Sequence, residues 1–152
     1  MGADQRVTEL GLELPEAQQP VANYVTAVQA GELLFLSGHG PVRADGTPVL
    51  GKVGGDLDLA AGVEAARLTG LFLLATMRAE LGSLDRVARI VKLLGMVNCA
   101  PGFNDTPTVV NGCSDLLVDV FGDAGRHARS AIGVAELPFD LAIEIEAVVQ
   151  VT

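Results

Sequence analysis

Three charged residues near the end of this chain have the types and spacing to act on a small organic acid. Arg129 opens the run Arg129-Ser130-Ala131-Ile132-Gly133-Val134. Glu144 and Glu146 stand in Leu141-Ala142-Ile143-Glu144-Ile145-Glu146-Ala147-Val148-Val149-Gln150-Val151. The odd positions of that second run are all apolar, which is the period-two pattern of a strand buried on one side, so the two glutamates share a face. A guanidinium grips a carboxylate through two parallel hydrogen bonds. A strand carboxylate among apolar neighbours can orient water and take its proton. Arg126, close by, reads as a surface residue.

Leu137-Pro138-Phe139-Asp140 lies between the two runs and reads as a bend, so residues 126–149 are expected to form a β-hairpin. With Pro138 and Phe139 at the turn, Glu136 would face Leu141 and Gly133 would face Glu144. Arg129 would then lie on the same face as Glu144, at a separation of about 13 Å from the rise of a strand. One small ligand cannot easily be held by both across that gap. It closes more naturally when the arginine and the glutamate come from different copies of the chain.

The preceding elements supply the scaffold. Val25 to Val28 and Leu33 to Ser37 read as strands split by Ala30-Gly31-Glu32, and Arg43-Ala44-Asp45-Gly46-Thr47 as a turn. Asp56 or Asp58 caps a helix from Leu59 to Leu81, stopped by Gly82. Val87 to Val97 is a β-branched strand. A second helix has Thr106 as N-cap, Pro107 at its first position, a stripe through Val109, Val110, Cys113, Leu116, Leu117 and Val120, and Gly122 as its stop. Val7 to Leu14 is a short helix or a strand. The order β-β-(β)-α-β-α-β-β, with no internal repeat, predicts an α+β fold in which two helices pack on one face of a mixed sheet.

Composition narrows the function. The chain has 152 residues, enough for one domain with its own core, taken as residues 1–152 with 1–20 as a variable extension. Only 19% of residues are charged, so part of the surface is expected to be covered by further copies of the chain. The net charge of −9 disfavours a nucleic-acid backbone as partner, because such binding needs a basic face. Cys99 and Cys113 make no disulfide framework, and Cys113 falls in the apolar helix stripe. His39, His127 and the scattered acids lack metal-ligand spacing, so no metal is expected. Gly51 to Gly55 with Lys52 lacks the spacing of a phosphate loop. The N-terminus has no apolar signal core, and the chain reads as soluble and cytoplasmic, with no membrane partner.

Arg129-Ser130, then an apolar strand, Leu137-Pro138 and Ile143-Glu144-Ile145-Glu146-Ala147 resemble the C-terminal signature of the RidA/YjgF family of reactive-intermediate deaminases, also labelled endoribonuclease L-PSP. Asn23-Tyr24-Val25, Leu36-Ser37-Gly38, Ser83-Leu84-Asp85-Arg86-Val87 and Asn111 extend the resemblance over roughly residues 20 to 151 in the family's order. The resemblance implies a chorismate-mutase-like two-layer sandwich of the bacillar type and a homotrimer with its sites between subunits. It implies hydrolysis, without a cofactor, of enamines or imines related to 2-aminoacrylate, giving 2-oxo acids and ammonia. Arg129 would hold the substrate carboxylate and Glu144 would position water, with Glu146 as its rival. Tyr24, Ser37, Gly38 and Asn111 would complete the pocket. Two positions depart from the pattern. His39 stands where many relatives have Gln, either as an acid or base or as a turn residue. Ala131 stands where deaminating members often have Cys. The alternatives are a carboxylate-sensing protein that uses the same clefts and, third, a ribonuclease.

Overall fold

In the computed structural model, which describes residues 1–152, the elements run α1 (Ala3–Glu9), β1 (Ala27–Ala30), β2 (Leu33–His39), α2 (Leu59–Leu81), β3 (Val87–Asn98), α3 (Thr106–Phe121), β4 (Ala128–Val134) and β5 (Ile143–Val151). The strands form one mixed sheet in the order β1-β2-β5-β3-β4. β1 and β2 form the expected hairpin around Gly31, whose φ of 62° is open to a residue without a Cβ. β5 is antiparallel to both β2 and β3, and β4 is parallel to β3. Between β2 and α2 the bracketed strand of the expected order is replaced by isolated bridges, among them Val53 to Cys99.

The expected C-terminal hairpin does not form. β3 lies between β4 and β5, so Gly133 pairs with Val97 and Glu144 pairs with Met96. The link from β4 to β5 passes the end of β3 through a short 3-10 turn, Pro138–Asp140, in which Phe139 and Asp140 are left-handed at φ 59° and 61°. Asp140 is tied there by the Asn98 amide, which donates to its carboxylate at 3.0 Å and to the Leu141 carbonyl at 3.1 Å. Alternation told which side of β5 is buried, but pairing partners follow from how α3 returns the chain. The crossover helix between β3 and β4 makes those two strands parallel neighbours.

α2 begins as its sequence requires. The Asp58 carboxylate accepts from the Ala61 amide at 2.8 Å, and Gly82 closes the helix in the left-handed region. α3 starts at Thr106 with Asp105 one residue earlier as its cap position, and the Thr106 hydroxyl instead donates to the Ala131 carbonyl at 2.9 Å. α2 and α3 cross closely because Gly70 faces Leu116, where an added Cβ would come within 2.9 Å of that side chain. Together they cover one side of the sheet. Leu73, Leu74 and Met77 of α2 are fully buried, as are Ile90 and Leu93 of β3 and Ile143 and Ile145 of β5. Truncating one of these leucines to alanine costs about 2–5 kcal/mol. α2 is long and apolar enough to cross a bilayer by length and composition, yet 56% of its apolar window is buried inside the fold.

The ambiguous stretch Val7 to Leu14 is helical only at its start, where it overlaps α1, and residues 12–14 have no regular structure, so a third helix, lying earlier than that stretch, joins the two expected. α1 docks away from the sheet. The Asp4 carboxylate accepts from the Ser83 hydroxyl at 2.6 Å and the Leu84 amide at 3.1 Å, and Arg6 donates to the Asp119 carbonyl at 3.0 Å. Val7 is buried beneath it. The sheet face away from the helices carries Val28, Phe35, Leu94, Met96, Ile132 and Val148, all exposed or half-buried. It is an uncovered apolar surface on an otherwise layered fold.

Candidate functional site

Glu144 rises from β5 on that open face. Its neighbours along the strand, Ile143 and Ile145, point into the core and are fully buried. Gly38, near the end of β2, lies directly against the glutamate. A Cβ on Gly38 would stand 2.7 Å from the Glu144 carboxyl carbon. This closeness follows from an irregularity in the β2–β5 register between Leu36 and His39, which brings backbone where a side chain would otherwise sit. Ser37 donates its hydroxyl to the Val25 carbonyl at 2.6 Å and its amide to Thr26, so the chain next to Tyr24 is held beside the same strand end. Tyr24 is partly exposed, and its hydroxyl accepts weakly from the Val21 amide. The N-terminal segment also arrives here, with the Gln18 side chain donating to the Gly38 carbonyl at 3.4 Å.

The Glu144 carboxyl is half-buried, and its pKa is raised above the ordinary glutamate value, first by lost hydration and then by the negative charge of Glu146. Glu146 shares its face but is more exposed. The strand alternation therefore predicted the shared direction of the two glutamates, and burial now separates them.

His39 does not join them. It is fully buried on the helix side, its Nδ1 donating to the Ser37 carbonyl at 2.6 Å and its Nε2 accepting from the Thr76 hydroxyl at 2.7 Å. Burial lowers its pKa, so it stays neutral, and both ring nitrogens are occupied. The expectation of an acid or base at this position is corrected: alternation beyond Gly38 turns the ring away from Glu144 and into the core.

Arg129 stands on the other face of the sheet. Its ladder partner is Leu93, which pairs in turn with Ala147, and both of these point into the core. Glu144 belongs to the opposite set, three ladder positions away and two strands across. The strand rise and spacing put the two backbones about 14 Å apart. The reading of a shared face is thus overturned by the pairing, while the wide separation stands. From the edge strand β4 the guanidinium reaches α3, where Nη1 donates to the Ser114 hydroxyl at 3.0 Å and Nη2 to the Pro107 carbonyl at 3.1 Å. No carboxylate of the same chain pairs with it within 4.0 Å. Two of its five N–H donors are used, which leaves enough for a bidentate carboxylate.

Asn111 is exposed on α3. It lies four residues after Pro107 and three before Ser114, on the helix stripe that receives the arginine. Ala131 follows Arg129 on the same side of β4, half-buried against α3. Sequence reasoning missed Ser114 and weighed His127 as a metal ligand. The helical spacing of Ser114 from Pro107 and Asn111, and the two-residue spacing of His127 from Arg129, were the available signals. The His127 ring spans the Gly125 carbonyl at 2.6 Å and the Ser114 hydroxyl at 2.9 Å.

The other reactive side chains are structural. Cys113 is fully buried, and burial pushes its thiol up to about 12. Lys52 donates to the Asn98 side chain at 2.9 Å and pairs with Glu136 at 3.4 Å, so it ties strand ends together and does not cradle an anion. No three His, Cys, Asp or Glu side chains gather in a metal-binding cluster.

Comparison with known proteins follows the same lines. The family described as "YjgF/chorismate mutase-like, putative endoribonuclease" matches residues 4–145. Protein TCP17 of Trypanosoma cruzi is 46% identical over 142 residues, covering 93% of this chain and 89% of that protein. A 2-iminobutanoate/2-iminopropanoate deaminase of Dermatophagoides farinae is 27% identical over 150 residues, covering 91% and 93%. The crystal structure of protein Atu1372 from Agrobacterium tumefaciens superposes with a TM-score of 0.90 at 41% identity, covering 99% of this chain and 92% of that one.

Proposed function

The chain belongs to the RidA/YjgF family, and on that premise we propose that it hydrolyses short 2-imino acids, formed from enamines such as 2-aminoacrylate, to 2-oxo acids and ammonia. The observation that carries the reading is the pair of half-sites. A fork of free N–H groups on Arg129 has no carboxylate of its own, and a half-buried Glu144 lies against the bare backbone of Gly38. The first is suited to a substrate carboxylate and the second to a water molecule.

Glu144 takes a proton from water as the oxygen bonds to the imine carbon and the C=N π electrons move to nitrogen. The proton passes on to that nitrogen. The hydroxyl proton of the resulting carbinolamine then moves to its amino group as the C–N bond breaks, so ammonia leaves and the carbonyl of the 2-oxo acid forms. A raised carboxyl pKa makes the Glu144 carboxylate a stronger base toward water than an ordinary glutamate. Such imines already react with water, so orientation supplies most of what is required.

The two halves meet when copies of the chain associate through the uncovered sheet face, with Arg129 of one subunit beside Glu144 of the next in a homotrimer. The apolar side chains on that face support this arrangement. The net charge of −9 gives no support to RNA as substrate.

The test is ammonia release from 2-aminoacrylate generated in place by a serine dehydratase. The wild type should accelerate release above the spontaneous rate. Arg129→Lys should lose most of that acceleration while remaining folded, because lysine keeps the charge without the planar fork. Wild-type protein that binds a 2-oxo acid but adds nothing to the rate would replace the enzyme with a carboxylate-binding protein.

A further inference from the structure

Arg129 is held by a hydrogen-bond chain whose polarity is set from one end. The Gly125 carbonyl can only accept, so His127 Nδ1 carries a proton and donates to it at 2.6 Å. In the neutral ring Nε2 must then accept, and it does so from the Ser114 hydroxyl at 2.9 Å. With its proton committed, the Ser114 oxygen turns a lone pair toward Arg129 Nη1 at 3.0 Å. The Pro107 carbonyl fixes the other terminal nitrogen at 3.1 Å.

We propose that Ser114 and His127 are positioning residues for carboxylate recognition, fixing the plane of the Arg129 guanidinium through this chain. The inference rests on the reading of Arg129 as the carboxylate anchor. A guanidinium on a flexible stem has many rotamers, and a bidentate grip requires one of them. Two fixed acceptors, one on each terminal nitrogen, select that rotamer before the ligand arrives. The direction of the chain also depends on an uncharged His127. Burial lowers its pKa and outweighs the opposing hydrogen bond to the Gly125 carbonyl, and the positive charge of Arg129 acts in the same sense as burial. Of the other groups close by, Asp123 and Arg126 are exposed and paired with each other at 3.3 Å, and the Cys113 thiol stays protonated.

The experiment measures the Kd of 2-oxobutanoate by calorimetry, together with KM and kcat for imine hydrolysis, on the assembled protein. Ser114→Ala should raise both Kd and KM about tenfold, the loss of a hydrogen bond to a charged group, and leave kcat within about twofold. Ser114→Thr keeps the hydroxyl and should restore both constants. His127→Phe should move Kd in the same direction, and His127→Gln, which retains an acceptor, should move it less. Kd and KM within about twofold of wild type in Ser114→Ala, or a tenfold rise that Ser114→Thr does not reverse, overturns the proposal. Arg129→Ala separates the two levels. If it abolishes 2-oxobutanoate binding while Ser114→Ala does not weaken it, only the positioning role fails. If Arg129→Ala binds 2-oxobutanoate like the wild type, the anchor reading fails and the positioning role with it.

Discussion

Arg129 and Glu144 project from opposite faces of a single sheet, separated by β3 and by three ladder positions. No rotamer change brings the two side chains together within one copy, because each faces a different layer. One points along α3 and the other over the open apolar face. The relationship makes the proposed chemistry a property of an assembly.

Mixing experiments read this directly. Arg129→Ala and Glu144→Gln should each lose most of the activity alone. When the two are unfolded, mixed in equal amounts and refolded together, activity should return to about a quarter of wild type, because random mixing in the proposed trimer pairs an intact arginine with an intact glutamate at that fraction of its sites. Ammonia release is the measurement, and no recovery in mixed assemblies would place both residues in a site within one chain.

The pH profile should carry the signature of Glu144. Its pKa is raised by burial and by Glu146, so activity should fall on the acid side at a pH above that of an ordinary glutamate. Glu146→Gln removes the neighbouring charge and should move this limb toward lower pH. Glu144→Gln should lower turnover, weaken ligand binding less, and abolish the limb. A kcat–pH series on the three proteins checks the assignment, and a limb that vanishes in Glu146→Gln instead would exchange their roles.

The same carboxyl costs stability. A raised folded-state pKa means that its contribution to stability is fully present below the unfolded glutamate value and is lost as pH rises through the folded value. Glu144→Gln should therefore raise Tm by a few degrees at about pH 8 and leave it nearly unchanged at about pH 4. Thermal melts at the two pH values test this. Equal shifts at both would mean that packing, and not ionisation, accounts for the effect.

Gly38 should tolerate no side chain. A methyl group there would stand 2.7 Å from the Glu144 carboxyl carbon, so Gly38→Ala must displace the carboxylate. We expect kcat to fall by about tenfold or more while circular dichroism and assembly persist. Wild-type turnover in this variant would remove Glu144 from the chemistry.

Much of the scaffold was legible in residue order. Asp58 and Gly82 bounded α2, Gly122 ended α3, and alternation from Leu141 onward identified the buried side of β5. Pairing was not legible. Pro138 and Phe139 look like a hairpin bend, yet they carry the chain past β3, because alternation records burial and holds no record of which strand lies alongside. That one error placed Arg129 on the wrong face. His39 escaped for a related reason: the irregular register at Ser37–Gly38 decides which way its ring turns, and no local pattern marks it. Ser114 and His127 carry no motif, and their roles appear only once α3 lies against β4.

β5 sits at the middle of the sheet and is the last of the domain's strands to be synthesised. Until it emerges from the ribosome, the β1–β2 hairpin and the β3–α3–β4 unit share no strand pairing and are joined only through α2, each with a bare inner edge. Closing them demands contacts between residues far apart in the chain, and such contacts slow folding. The nascent chain therefore displays unpaired edges for nearly its entire passage, the period in which strands of neighbouring chains can add to them. A chain ending before Ile143 would hold most of the core residues and still divide its strands between two separate pairs, with no single sheet to organise them.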